Sequence, residues 1–171
     1  MERVIMIGCG GAGKSTMARA LGEKTGLPVV HLDQIFWREN WQSISRDAFD
    51  RLLQVELEKP RWIIDGDYGR TLAHRLQYCD TVVFLDYPRW QCILGVLKRV
   101  LTTYGRTRPD MAPGCKERFD WTFLTWVWNW RKNKRQNFMD ILAAAEGVRV
   151  IVLKSRKEGK KFLEDIQIPL A

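Results

Sequence analysis

The chain has 171 residues, 46% of them hydrophobic and 28% charged, and its 28 Lys and Arg against 20 Asp and Glu give a net charge of +8. That size excludes two ordinary domains with a linker, and the composition excludes disorder, so one domain over residues 1–171 is expected. The absence of an apolar run near the roughly 20 residues of a membrane helix, and of a signal pattern at Met1-Glu2-Arg3, predicts a cytoplasmic protein without membrane partners, while the positive charge suits anionic ligands.

Val4-Ile5-Met6-Ile7 reads as a buried parallel strand. It runs into Gly8-Cys9-Gly10-Gly11-Ala12-Gly13-Lys14-Ser15, followed by Thr16, which satisfies the phosphate-loop pattern G-x-x-x-x-G-K-[ST] at every defined position. Glycines let backbone N–H groups approach polyphosphate oxygens, Lys14 would reach the β- and γ-phosphates, and the Ser15 hydroxyl would bind Mg²⁺. The apolar–polar alternation from Lys14 to Lys24 predicts a helix whose N-terminus points at the anion. The same glycines also satisfy G-x-G-x-x-G, the dinucleotide fingerprint, with Asp33 about where a ribose-binding acid is expected. Lys14-Ser15 separates the two readings, because only the phosphate loop requires them.

Leu27 to Leu32 predicts a second strand ending at Asp33, and a helix follows from about Arg46 to Glu58. Trp62-Ile63-Ile64 and Thr81 to Leu85 read as third and fourth strands ending in Asp65 and Asp86. A helix carries Trp90, Leu94, Leu97, Leu101 and Tyr104, Val148 to Leu153 is a fifth strand, and a terminal helix covers Lys157 to Asp165. Strands alternating with helices predict an α/β fold with a five-stranded parallel sheet covered on both faces, and its ligands at the carboxyl ends of the strands. Gly8 to Ser15, Asp33, Asp65 to Arg70 and Asp86 all fall at that edge. Asp33 and Asp65 are favoured for metal and acceptor roles, with Asp86 the runner-up as a Walker B acid.

Residues 104–118 have the Gly, Pro and Asp content of an exposed loop and resemble a mobile lid, with Arg106 and Arg108 placed to close over donor phosphates. From Phe119 to Ala145 one long helical pattern is expected, with Trp121, Leu124 and Trp128 on a stripe and a basic run from Arg131 to Arg135. Such aromatics usually pack a core or a partner; stacking on single-stranded nucleic acid is the alternative. Phe36, Trp37 and Trp41 either flank an acceptor or pack. Cys9, Cys79, Cys92 and Cys115 are widely spaced and His31 and His74 are isolated, which points away from a zinc site or a disulfide framework.

These motifs resemble the adenylate-kinase-like P-loop kinases and, more closely, the bacterial DNA topology modulation proteins. The resemblance rests on Gly8 to Thr16, His31-Leu32-Asp33 with Phe36-Trp37, Trp62 to Gly66 with Tyr68 and Arg70-Thr71, Phe84-Leu85-Asp86 with Pro88-Arg89, and Thr107 to Met111. It implies a three-layer P-loop domain in the nucleoside-monophosphate-kinase arrangement, with a short helical lid and one helix between the second and third strands. It also implies Arg70 as a grip on the acceptor phosphate, although the stretch from Asp65 to Thr71 is one residue longer than the family's and lacks its Phe-Pro.

The function expected is Mg²⁺-dependent transfer of the γ-phosphoryl group of ATP to a small acceptor, with a nucleoside monophosphate as one candidate. Lys14, Asp33, Arg106, Arg108, Arg131 and Arg135 are the candidate catalytic residues. Ser15, Asp33 and Asp65 are candidates for the metal, and Asp33, Asp65 and Arg70 for the acceptor. The alternative is an ATP-dependent regulatory or DNA-binding protein with little small-molecule turnover. Oligomeric state is not legible in the chain.

Overall fold

The computed structural model describes residues 1–166, so the last five residues of the expected domain lie outside the described residues. Five strands form the sheet: β1 (Arg3–Gly8), β2 (Val29–His31), then, after a small hairpin of β3 (Trp37–Arg38) and β4 (Gln42–Ser43), β5 (Trp62–Asp65), β6 (Thr81–Leu85) and β7 (Arg149–Leu153). The sheet order is β2-β5-β1-β6-β7 and every pairing is parallel, with Ile5 opposite Ile64 on one side and Val82 on the other. The central strands are apolar throughout because helices cover both faces, and Val4 to Ile7, Trp62 to Ile64 and Val82 to Phe84 have no exposed surface.

The chain lays its early strands on one side of β1 and its late ones on the other. The loop after β1 therefore lies at the reversal of strand order, where the connections diverge and leave a crevice. Helix α1 (Lys14–Thr25) starts after Gly13, at φ 94°, and stops at Gly26, at φ 68°, where an L side chain would be strained. Ser45 caps α3 (Arg46–Leu57) by accepting from the Ala48 N–H, and Asp120 caps α6 (Trp121–Asn133) by accepting from the Phe123 N–H. At α8 (Arg156–Asp165) Ser155 caps by accepting from the Glu158 N–H at 3.2 Å, and the Glu158 carboxylate accepts from the Lys154 N–H at 2.8 Å.

Three expectations need correction. The segment between β2 and β5 holds more than one helix: a short α2 (Leu32–Phe36) and the β3–β4 hairpin precede α3. The long helix expected from Phe119 to Ala145 is two helices, α6 and α7 (Arg135–Ala143), broken at Lys134 by its backbone at φ −122°, ψ −37°. No glycine or proline marks that break. On α6 the buried side chains are Leu124, Val127 and Trp130, while Trp121 and Trp128 of the expected stripe are exposed.

The third correction concerns residues 104–118. This segment holds no helix and is not a free loop: isolated bridges join Tyr104 to Glu117 and Thr107 to Lys116, and Asp110, Met111, Ala112, Cys115 and Glu117 are buried. Trp37 and Trp41 pack against Met111, Ala112 and Cys115 as a small second core. The Gln34 amide donates to the Pro109 carbonyl at 2.6 Å, the Trp41 indole to the Lys116 carbonyl at 3.1 Å, and the Cys115 thiol to the Arg38 carbonyl at 3.1 Å. The lid thus lies docked on α2 and the hairpin, beside Asp33.

Candidate active site

The phosphate loop is shaped as much by protein packing as by a ligand. A Cβ on Gly8 would lie 2.6 Å from the Leu85 carbonyl oxygen and one on Gly10 2.7 Å from the Phe123 ring. One on Gly11 would collide with the Cys92 carbonyl of α5 (Arg89–Thr103). Gly13 is different, since a Cβ there meets no protein atom within 4 Å and only its positive φ demands glycine. The first turn of α1 has no side-chain cap and no acid. Its orphan N–H groups and the helix dipole face the loop, which is the condition for binding an anion. Lys14 folds back over the loop, its Nζ donating to the Cys9 carbonyl at 3.1 Å. Cys9 is buried, its thiol donating to the Val127 carbonyl at 3.7 Å, and the neighbouring Cys92 together with burial pushes its pKa up, so it is a packing residue rather than a nucleophile.

Asp33, in the first turn of α2, accepts from the Tyr68 hydroxyl at 2.7 Å. Burial raises its pKa, opposed by that hydrogen bond and by the charges of Lys14 and Arg108, which lie near enough to act on it. Tyr68 is itself fixed by stacking on Phe49 with ring centroids 4.9 Å apart. At the end of β5, Asp65 is bonded to His31 Nδ1 at 2.8 Å through one carboxylate oxygen; the other is buried without a hydrogen-bond partner. His31 is therefore a hydrogen-bonded partner of Asp65.

Sequence reasoning missed two residues. Asp67 accepts from the Trp130 indole at 2.8 Å and feels the Lys14 ammonium, while its second oxygen is buried and unpartnered. Burial is the main cause of its raised pKa. The available signal was a second acid two residues beyond a strand-end acid, both in the turn leaving β5. Arg75, on α4 (Leu72–Leu76), is wholly buried and donates to the carbonyls of Gly66, Asp67 and Tyr68 at 3.0, 2.8 and 3.2 Å. It holds the turn that presents Asp65, Asp67 and Tyr68, and burial lowers its pKa to about 10.

The predicted arginines divide. Arg131 and Arg135 both bind Asp86, Arg131 at 2.9 Å and Arg135 through Nε and Nη2 at 2.8–2.9 Å. Both oxygens of Asp86 are thereby occupied by guanidinium groups. Arg108 pairs with Asp110 at 2.5 Å and Glu117 at 2.9 Å, Arg99 shares Glu117 at 3.2 Å, and Arg19 of α1 reaches Asp110 at 3.7 Å. Arg106 is exposed and has no acidic partner among the described residues. Arg70 lies outside this constellation, paired with Asp50 of α3 at 2.5–2.9 Å on the surface.

The loop Gly8 to Thr16, Asp33, Asp65, Asp67, Tyr68 and Arg108 therefore share one cleft at the carboxyl edge of the sheet. Its donor set of hydroxyl and carboxylate oxygens suits a hard cation, and Ser15 with the unpartnered oxygens of Asp65 and Asp67 fits Mg²⁺. No cluster of three or more His, Cys, Asp or Glu forms a ready cage among the described residues.

No family model matches the chain. Over 109 residues it is 29% identical to an adenylate kinase of Clavibacter michiganensis subsp. michiganensis, covering 62% of this chain and 53% of that protein, so the chain spans about half the length of the curated relative it matches. In solved structures it is similar to a shikimate kinase from Bacteroides thetaiotaomicron, with a TM-score of 0.59 at 14% identity over 95% of this chain and 94% of that one. It is likewise similar to a candidate kinase from Chloroflexus aurantiacus, with a TM-score of 0.54 at 14% identity over 96% of both chains. These likenesses and the five-stranded parallel sheet define a P-loop α/β protein of the kinase fold. Among the described residues, no helix is long and apolar enough to cross a membrane.

Proposed function

We propose that the chain is a cytoplasmic phosphotransferase that binds ATP at Gly8 to Thr16 and transfers the γ-phosphoryl group to a small acceptor, with nucleoside monophosphates among the candidates. The observation that carries this reading is the meeting of an uncapped helix N-terminus and Lys14 with three carboxylates, Asp33, Asp65 and Asp67, in one cleft. Phosphoryl transfer demands positioning and charge stabilisation, and this cleft supplies both.

Lys14 exchanges its bond to the Cys9 carbonyl for the β- and γ-phosphates. Ser15, Asp65 and Asp67 are the residues that would hold Mg²⁺, and the bound ion would neutralise charge on the transferring group. Asp33, its pKa raised by burial and its carboxylate aligned by Tyr68, accepts the hydrogen bond of an acceptor hydroxyl. Arg106, exposed on the lid, is the arginine available to the donor phosphates, whereas Arg108 reaches them only by leaving Asp110 and Glu117, and Arg131 and Arg135 only by leaving Asp86. Arg70 grips an acceptor phosphate only by leaving Asp50.

The test is an ADP-release screen over nucleoside monophosphates and small hydroxyl compounds. One compound should raise ADP release well above the background ATPase rate, and Lys14→Ala should remove that rise without changing the melting temperature. No responsive acceptor across the panel, or a full response in Lys14→Ala, contradicts the proposal.

A further inference from the structure

The net charge is not spread over the molecule. Residues 89–135 hold eleven Lys and Arg against Asp110, Glu117 and Asp120, so this stretch carries the whole +8; the rest of the chain holds seventeen of each sign. Its acids are already engaged. Asp110 and Glu117 are buried in ion pairs with Arg108 and Arg99, and Asp120 caps α6. Arg89, Lys98 and Lys132 have no acidic partner within ion-pair distance among the described residues.

The same stretch carries much of the molecule's exposed aromatic surface. Helices α5 and α6 pack together, with the Arg89 guanidinium 5.0 Å from the Trp128 ring and that of Arg99 5.3 Å from the Phe123 ring, so they run antiparallel. On α5, Trp90, Leu94 and Leu101 recur at helical spacing, 56%, 55% and 84% exposed. On α6, Trp121 and Trp128 stand seven residues apart on one face, 73% and 50% exposed, and Lys132 continues that face. The kinase reading uses none of these side chains.

We propose that this outer face of α5 and α6 binds single-stranded nucleic acid, its bases stacking on Trp90, Trp121 and Trp128 and its phosphates meeting Arg89, Lys98 and Lys132. Aromatic platforms interleaved with cations are what a sequence-tolerant single-strand site requires. A second copy seated face to face would set the same +8 stretch against itself. An anionic bilayer calls for a continuous apolar stripe, and on α6 Thr122, Thr125 and Asn129 interrupt the tryptophans. The inner side of this helix pair forms the wall of the phosphate loop: Phe123 and Val127 touch Gly10, and Cys92 and Val96 crowd Gly11. A strand on the outer face is thus one helix thickness from the nucleotide.

The test is fluorescence anisotropy with labelled oligo(dT) and oligo(U) of about 16 nucleotides, the upper site size of such surfaces. Both should bind at low salt and outcompete duplex DNA, with log K falling against log salt at a slope of about −2 for three neutralised phosphates. The double variant Trp121→Ala/Trp128→Ala should weaken binding at least about tenfold, and Lys132→Ala should flatten the salt slope. ATP affinity and melting temperature, measured on the same samples, should be unchanged, so this test and that of the kinase reading fail separately. No oligonucleotide binding at low salt overturns the proposal, as does binding indifferent to the tryptophans. Adsorption to phosphatidylserine vesicles in place of oligonucleotide, or a dimer in sedimentation that the double variant abolishes, overturns it equally.

Discussion

The two sides of the cleft are built by different means. The donor side is backbone held by close packing: Gly8, Gly10 and Gly11 have protein atoms where a side chain would go, and α1 presents bare N–H groups. The acceptor side is made of side chains that hold one another. Tyr68 orients Asp33, His31 holds Asp65, Trp130 holds Asp67, and the docked lid rests on ion pairs of Arg108 and Arg99 with Asp110 and Glu117. The contrast teaches that the donor side tolerates almost no change in shape, whereas the acceptor side can be altered one contact at a time while the fold survives.

The largest effect expected is on the donor side. Gly11→Ala combines a collision with the Cys92 carbonyl and a φ of 79°, and should destabilise by about 3 kcal/mol or more, read by chemical denaturation. Gly13→Ala, strained at φ 94° but free of contacts, should cost only about 1–2 kcal/mol. Equal losses at the two positions would erase the distinction between a packed and an open part of the loop.

On the acceptor side, Arg75→Leu leaves the carbonyls of Gly66, Asp67 and Tyr68 unpartnered and should cost about 3 kcal/mol. Asp33→Asn should instead leave stability near wild type and lower turnover about a hundredfold, with Tyr68→Phe losing less. A turnover loss matched by lost stability would make Asp33 structural.

Asp67 gives a pH signature. Its pKa is raised by burial, so the native state holds its proton more tightly than the unfolded chain, and the carboxylate costs stability once pH rises through the folded pKa. Asp67→Asn, which can still accept from the Trp130 indole, should therefore raise the melting temperature at neutral pH. That gain should shrink as pH falls into the ordinary carboxylate range, where the native carboxyl is protonated. The smallest effect belongs to Arg70→Ala, which removes an exposed ion pair and should change stability by less than about 1 kcal/mol.

Legibility in the sequence follows the same division. Gly8 to Ser15 is contiguous and works through its backbone, and the five strands are short apolar runs, so both could be read from the chain. Asp33 was found because it closely follows the short apolar strand β2, although the structure puts it in the first turn of α2. Asp67 was not, because its meaning depends on Trp130, 63 residues away. The docking of the lid depends on Cys115 reaching Arg38 across 77 residues, and the pairing of Arg131 and Arg135 with Asp86 on tertiary contacts of the same kind. The break at Lys134 carries no residue that announces it.

The central claim is that the cleft moves a phosphoryl group to an acceptor, and the most direct measurement follows the label of γ-labelled ATP in the presence of the compound that raises ADP release. The label is predicted to appear on that compound and to stay off it in Lys14→Ala. Label recovered only as inorganic phosphate, whatever compound is present, would contradict the account.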